Sequence, residues 1–360
     1  MFTKTVLAYQ HSQADASGTI IKKNTMGILK IKGTIDLSQF WPSGGSDADT
    51  TKIQLSVTGD SFSFSADANS GLLPTRAFEG ASVRGTSRRE VVKNNRITVR
   101  LQGIDAPELH YRAPALRRSD DISAEQRETY NRLNRKFRQY MGETATVGLS
   151  AFLQTTGDSP VACEFTTQVD FPYEVIDTYG RFVGNISVRK GGVAVDINTW
   201  LAEEGWVYPA FYTSMTAGEI GILTEAARRG KTKGRLWQHY SDALTRFKYE
   251  LQYRGEDAVP DENADKGPVL FPKLFRRQVA WILGKRAGIW GGGMKTYLAR
   301  NREQLYKTNE FLEQTIHTAP AYYLHEFVTN NRFTPRPEEV VFKEKFSTLV
   351  NELGEEINQW

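Results

Sequence analysis

Residues 100–108 read RLQGIDAPE, and residues 177–181 read DTYGR. The first motif offers Arg100 followed by two carboxylates, Asp105 and Glu108. The second offers Asp177 and Arg181. Pro107 fixes its own φ and biases Ala106 towards extended backbone, so the two acids of the first motif need not share a helical face. One carboxylate is then free to hold a cation while the other faces a substrate. Paired arginines with acids and no histidine inside either motif suit phosphoryl chemistry. Planar guanidinium forks match the equatorial oxygens of a phosphodiester under attack. A hard divalent cation on carboxylates polarises the same phosphate, and a Glu positions or deprotonates the attacking water.

These residues need a β framework with helices behind it. Apolar–polar alternation predicts strands at Gly27–Leu37, Lys52–Val57, Phe62–Phe64 and Arg96–Ile104, with Asn94-Asn95 closing a hairpin. Residues 65–95, polar and carrying Arg84, Arg88 and Arg89, read as an insertion. Ser123-Ala124-Glu125-Gln126 is a capping box that opens a helix through Tyr130, Leu133, Phe137 and Met141, with Gly142 as its stop. Strands are predicted at Thr144–Leu153, Ala162–Val175 and Phe182–Val188. Short helices are predicted at Ile197–Glu204 and from Thr216 to about Gly230. Gly255–Pro268 (GEDAVPDENADKGP) has a linker's composition. Beyond it the chain reads as helical, with Phe342, Phe346, Leu349, Leu353 and Ile357 as a stripe.

The 360 residues, at roughly 150 per domain, predict two or three compact units. Lys plus Arg number 46 against 42 Asp plus Glu, a net charge of +4 that excludes a packaging protein yet allows a local basic groove. Cys163 stands alone, which excludes a disulfide framework and a Cys-based zinc cluster. No run reaches the length of a membrane span, and Met1–Gln10 turns polar too soon for a secretory leader. The expectation is a soluble, cytoplasmic protein without a membrane partner.

The two motifs together resemble those of the staphylococcal nuclease (thermonuclease) family. Thr178 stands where that family usually has Lys or Arg. The likeness extends through GNISVRKGGVAVDINTWLAEEGWVYPAFY and ILTEAARRGKTKGRLW, so that it covers Gly27 to Trp237. The resemblance implies an α+β chain centred on an OB-fold barrel. The expected layout is an N-terminal extension (1–26), the nuclease-like domain (27–245), a linker (246–267) and a helical C-terminal domain (268–360). It also implies calcium-dependent hydrolysis of DNA or RNA that leaves 3′-phosphate ends. Arg100 and Arg181 would bind the phosphate, Glu108 would be the general base, and Asp105 and the Ala106 carbonyl would hold calcium. A further metal aspartate belongs in a DGDT motif. Counting back from Arg100 lands on Gly85-Thr86-Ser87, which has no acid, so the candidates are Asp49, in Asp47-Ala48-Asp49-Thr50, and Asp60. Asp49 is preferred. Tyr179, Phe211 and Tyr212 fall where the substrate would lie, with core packing an equal reading for Phe211 and Tyr212.

Other features have plainer readings. The helix arginines 127, 132, 135 and 138 and the run Arg228–Arg235 are solvated faces or nucleic-acid contacts. Gly288–Thr296 is a helix-to-helix turn, not a phosphate loop. His110 is a candidate to line the site. A nuclease-like module that binds nucleic acid or a protein without cleaving is the alternative function. The C-terminal helices are a candidate surface for a protein partner or self-association.

Overall fold

The computed structural model describes residues 12–14, 20–22, 26–56, 61–67, 70–85, 89–117, 121–154, 159–244, 269–313 and 318–360. The alternating segments form β1 (Ile28–Ile35), β2 (Thr50–Leu55), β3 (Phe62–Ser65), β4 (Arg96–Leu101), β5 (Val161–Gln168) and β6 (Phe182–Lys190). Five of them close on themselves in the order β1–β2–β4–β6–β5–β1. The β4–β6 pairing is parallel and the others are antiparallel. β3 continues β2's line along β1, opposite Ile28–Ile31. The period-2 pattern sends Leu29, Ile31, Ile53, Ile97, Val99, Phe165, Phe182 and Ile186 to the interior, all at most 1% exposed. Asn94 and Asn95 take φ of 52° and 55°, the left-handed pair a two-residue hairpin turn needs, and join Val92–Lys93 to β4.

Between β4 and β5 run α1 (Ala124–Leu133) and α2 (Gly142–Gln154). The Ser123 capping box forms as expected, but the helix stops short of Met141. Phe137 leaves the helical path because its N–H donates to the Tyr111 carbonyl at 2.7 Å. Gly142 opens α2 instead of ending α1. The strand expected at Thr144–Leu153 is this helix, whose Ala145, Leu149, Phe152 and Leu153 are buried at helical spacing. After β6 come α3 (Ile197–Glu203) and α4 (Ala217–Thr232), capped by Asp196 and Thr216.

The C-terminal region contributes α5 (Pro272–Arg286), α6 (Met294–Asn301), β7 (Gln304–Lys307), α7 (Thr308–Glu313) and β8 (Val340–Phe342). The linker expected at 246–267 lies outside the described residues. Gly288–Gly293 is the turn between α5 and α6. The stripe expected as a helix at 342–357 is not helical: Phe342 ends β8, Leu349–Val350 pairs with Ser82–Val83, and a turn follows at 352–354. Both edges that β8 joins were already waiting, β7 on one side and Phe211–Tyr212 on the other. Helical spacing of apolar residues did not compete with that pairing.

This region interleaves with the barrel. Leu270, Phe271, Leu274, Phe275 and Val279 share one core with Tyr130, Phe137 and Tyr208. Trp360 stacks on Phe64 with ring centroids 3.9 Å apart. Among the described residues no helix is long and apolar enough to cross a membrane.

Candidate functional site

Strand register brings the two motifs to one end of the barrel. Arg100 stands opposite Thr50 on β2 and beside Val183 on β6. The Asp49 carbonyl accepts from Leu101 N–H at 2.9 Å, so Asp47–Thr50 lies against the end of β4. The chain then turns at Gly103, whose φ of +74° is left-handed backbone that a side chain would strain. Ile104–Asp105 pairs with Tyr208–Pro209, which fixes where the Asp105 carboxylate points. Glu108 is anchored through its backbone, its N–H donating to Gln139 Oε1 at 3.0 Å.

Around the resulting cleft of about 1420 Å³ stand Asp47, Asp49, Arg100, Asp105, Ala106, Glu108, Tyr179, Arg181 and Tyr212. Asp49 Oδ2 accepts from Ala106 N–H at 2.8 Å, and its Oδ1 accepts from the Thr50 hydroxyl at 3.0 Å. Arg181 Nη1 donates to that same hydroxyl at 3.2 Å, while its Nε lies 2.8 Å from Asp177 Oδ2. Arg100 donates to the Tyr212 hydroxyl at 3.2 Å and lies 3.8 Å from Asp105 Oδ1. One chain of contacts therefore links Arg181, Thr50, Asp49 and the Ala106 turn.

Burial dominates the electrostatics. It pushes Asp47 well above the usual carboxylate range, and the neighbouring Asp49 and Glu108 push it further. Burial would raise Asp49 as well, but Arg100, the Ala106 N–H and Arg181 outweigh it and hold the carboxyl below its ordinary value. Burial lifts Asp105 despite Arg276 and Arg100, and lifts Glu108 to about 7 despite Arg276.

The donors are of the type a hard cation takes: the Asp49 and Asp105 carboxylates and the Ala106 carbonyl, all oxygen, on adjoining segments. Acids crowded enough to raise Asp47 also supply the negative charge that such an ion balances. Charge and donor type fit calcium. As the side chains stand, no group of three or more His, Cys, Asp or Glu among the described residues is arranged around a common ion position. Asp105 and Glu108 both turn their oxygens to Arg276 of α5.

Not every expected residue reaches the cleft. Phe211 is fully buried and pairs with Val341, so it is core and not a stacking surface. Tyr179 is 64% exposed at the rim, with Arg181 5.4 Å from its ring centre. Tyr212 lines the cleft but is tied through its hydroxyl to Arg100 and Lys273. His110 also lines the cleft. Asp60 lies outside the described residues. The basic run near the end of α4 is largely neutralised, with Arg228, Arg229, Lys231, Lys233 and Arg235 each paired to a Glu. Arg138, expected on a solvated face, is buried against Glu143 at 2.8 Å.

Sequence reasoning missed the C-terminal contribution of Lys273, Arg276, Arg277 and Glu303. The visible signal was a basic face at i, i+3 and i+4 on α5, which is also what any surface helix displays. No protein-family model matches the chain, and no curated protein matches it either.

Proposed function

We propose that this chain is a calcium-dependent nuclease of the thermonuclease type, hydrolysing phosphodiester bonds of DNA or RNA in the cleft at the barrel end. The observation that carries the reading is the meeting of Arg100, Arg181, Asp49, Asp105 and Glu108, drawn from three separated segments, around one cleft. The closed five-stranded barrel, with its single parallel pair, has the strand order of an OB fold and supports the family resemblance.

In this reading Arg100 and Arg181 grip the non-bridging oxygens, and their forks follow the charge that grows there in the transition state. Glu108, lifted to about 7 by burial, takes a proton from the attacking water in its ionised form. Tyr212 and Asp177 keep the two guanidinium groups aimed into the cleft. A calcium ion bound by Asp49, Asp105 and the Ala106 carbonyl would polarise the scissile phosphate. By the resemblance, cleavage leaves 3′-phosphate ends.

Plasmid digestion with calcium and with chelator tests the reading. Arg100→Ala and Arg181→Ala should each lower turnover by roughly 10²–10³, the size of a lost transition-state donor. Digestion by both variants at the parental rate refutes the site. A second reading is a barrel that grips nucleic acid without cleaving it. It is favoured by one observation, the engagement of Asp105 and Glu108 by Arg276. Tight binding without product in calcium would establish it.

A further inference from the structure

α5 carries Lys273, Arg276 and Arg277 on one face and buries Leu274, Phe275, Val279, Ile282 and Leu283 on the other. Lys273 and Arg277 are both held by Glu303, at 3.0 and 2.9 Å. Arg276 alone of the three meets the acids of the first motif. Its Nη2 lies 2.9 Å from Asp105 Oδ2, and its Nη1 donates to Glu108 Oε1. The helix is bedded in the second core, so the Arg276 backbone is fixed and only the side chain is free to swing.

We infer that Arg276 is a built-in competitor for the cation site: its guanidinium and a divalent ion take the Asp105 carboxylate in alternation, and displacement of the guanidinium also releases Glu108. The inference rests on the nuclease reading and extends it to the control of ion binding. Arginine has five donors and no acceptor, so it cannot become a ligand of the ion that displaces it. A guanidinium left between the two acids would face the ion at contact range with like charge in a poorly hydrated cleft, where that repulsion is least screened. The present geometry is the guanidinium-bound one, with both acids turned to Arg276. The swung-out side chain has a ready partner when a nucleic-acid strand enters, because a phosphate accepts the same fork that the carboxylates release. Ion and strand then favour each other's binding.

The test is direct calcium titration by calorimetry on the full chain, comparing the parental protein with Arg276→Gln and Arg276→Lys, alongside thermal unfolding with and without calcium. Arg276→Gln should bind calcium at least about tenfold more tightly than the parent, since the competing charge is gone. Arg276→Lys keeps the charge but loses the two-pronged grip, so its calcium affinity should fall between those of the parent and Arg276→Gln. Ligand linkage predicts a larger calcium-induced rise in unfolding temperature for Arg276→Gln than for the parent. Should Arg276→Gln fold only with calcium present, that too supports the exchange of one cation for another. Equal calcium affinity in the parent and Arg276→Gln overturns the competition while leaving the cation site standing. Absence of calcium binding in all three proteins overturns both.

Discussion

Glu303 offers the cleanest electrostatic test of how α5 is braced against the segment that follows α6. Its carboxylate accepts from Lys273 and Arg277 together, and only 12% of its side chain is exposed. Burial alone would raise this carboxyl. The two cations outweigh burial and hold it at about 2, against an ordinary 4.5. A carboxyl depressed in the folded state stabilises the fold above its unfolded value, and that contribution fades as pH falls towards the folded value. At roughly 1.4 kcal/mol per pH unit, the contribution at neutral pH is about 3 kcal/mol. Glu303→Gln removes the charge without much change in volume, so it discards most of this term. Urea unfolding of parent and variant at a series of pH values should show a gap of about 2–3 kcal/mol near pH 7. The gap should close steadily between about pH 5 and pH 2, because the parent is then protonated as well. A gap that stays constant through that window would show that Glu303 acts by shape or hydrogen bonding and not by charge.

Two further outcomes separate alternative roles for the expected site residues. Asp49→Asn should raise the calcium concentration needed for half-maximal activity by about tenfold or more, while Asp60→Asn leaves it unchanged; the reverse pattern in a calcium titration would move the ligand to Asp60. Phe211→Ala should cost about 3–5 kcal/mol of stability as a core cavity, whereas Tyr179→Ala should leave stability nearly intact and weaken nucleic-acid binding by about 1–3 kcal/mol. Denaturation and fluorescence-anisotropy measurements on both variants decide between packing and contact roles.

The site was legible where its chemistry is local. RLQGIDAPE and DTYGR each combine a strand end with a turn, and those turns form as the residues require: Asp177 accepts from the N–H groups of Tyr179 and Arg181 and orients the arginine itself. Asp49 was harder to choose from sequence, because its place depends on β2–β4 register and not on its distance from Arg100 along the chain. α2 was misread because Thr144, Thr146 and Val147 are β-branched, yet burial at Ala145, Leu149 and Phe152 decided the matter. Arg276 lies 168 residues from Glu108 in sequence. Nothing near it signals a carboxylate partner, since that contact exists only after two cores have packed against each other. Leu353 shows the converse: it belongs to an apolar spacing but is 82% exposed.

The reach of Arg276 across the chain also sets an order of events during synthesis. Asp105 and Glu108 leave the ribosome well before α5. At about 5–20 residues per second, the intervening 168 residues take on the order of ten to thirty seconds. Once β6 has emerged and the barrel can close, its end carries those acids without the guanidinium that later sits on them, until α5 follows. On the proposal that Arg276 competes with an ion for these acids, the newborn chain would take up ions most readily, and suffer the most electrostatic self-repulsion, before α5 is made.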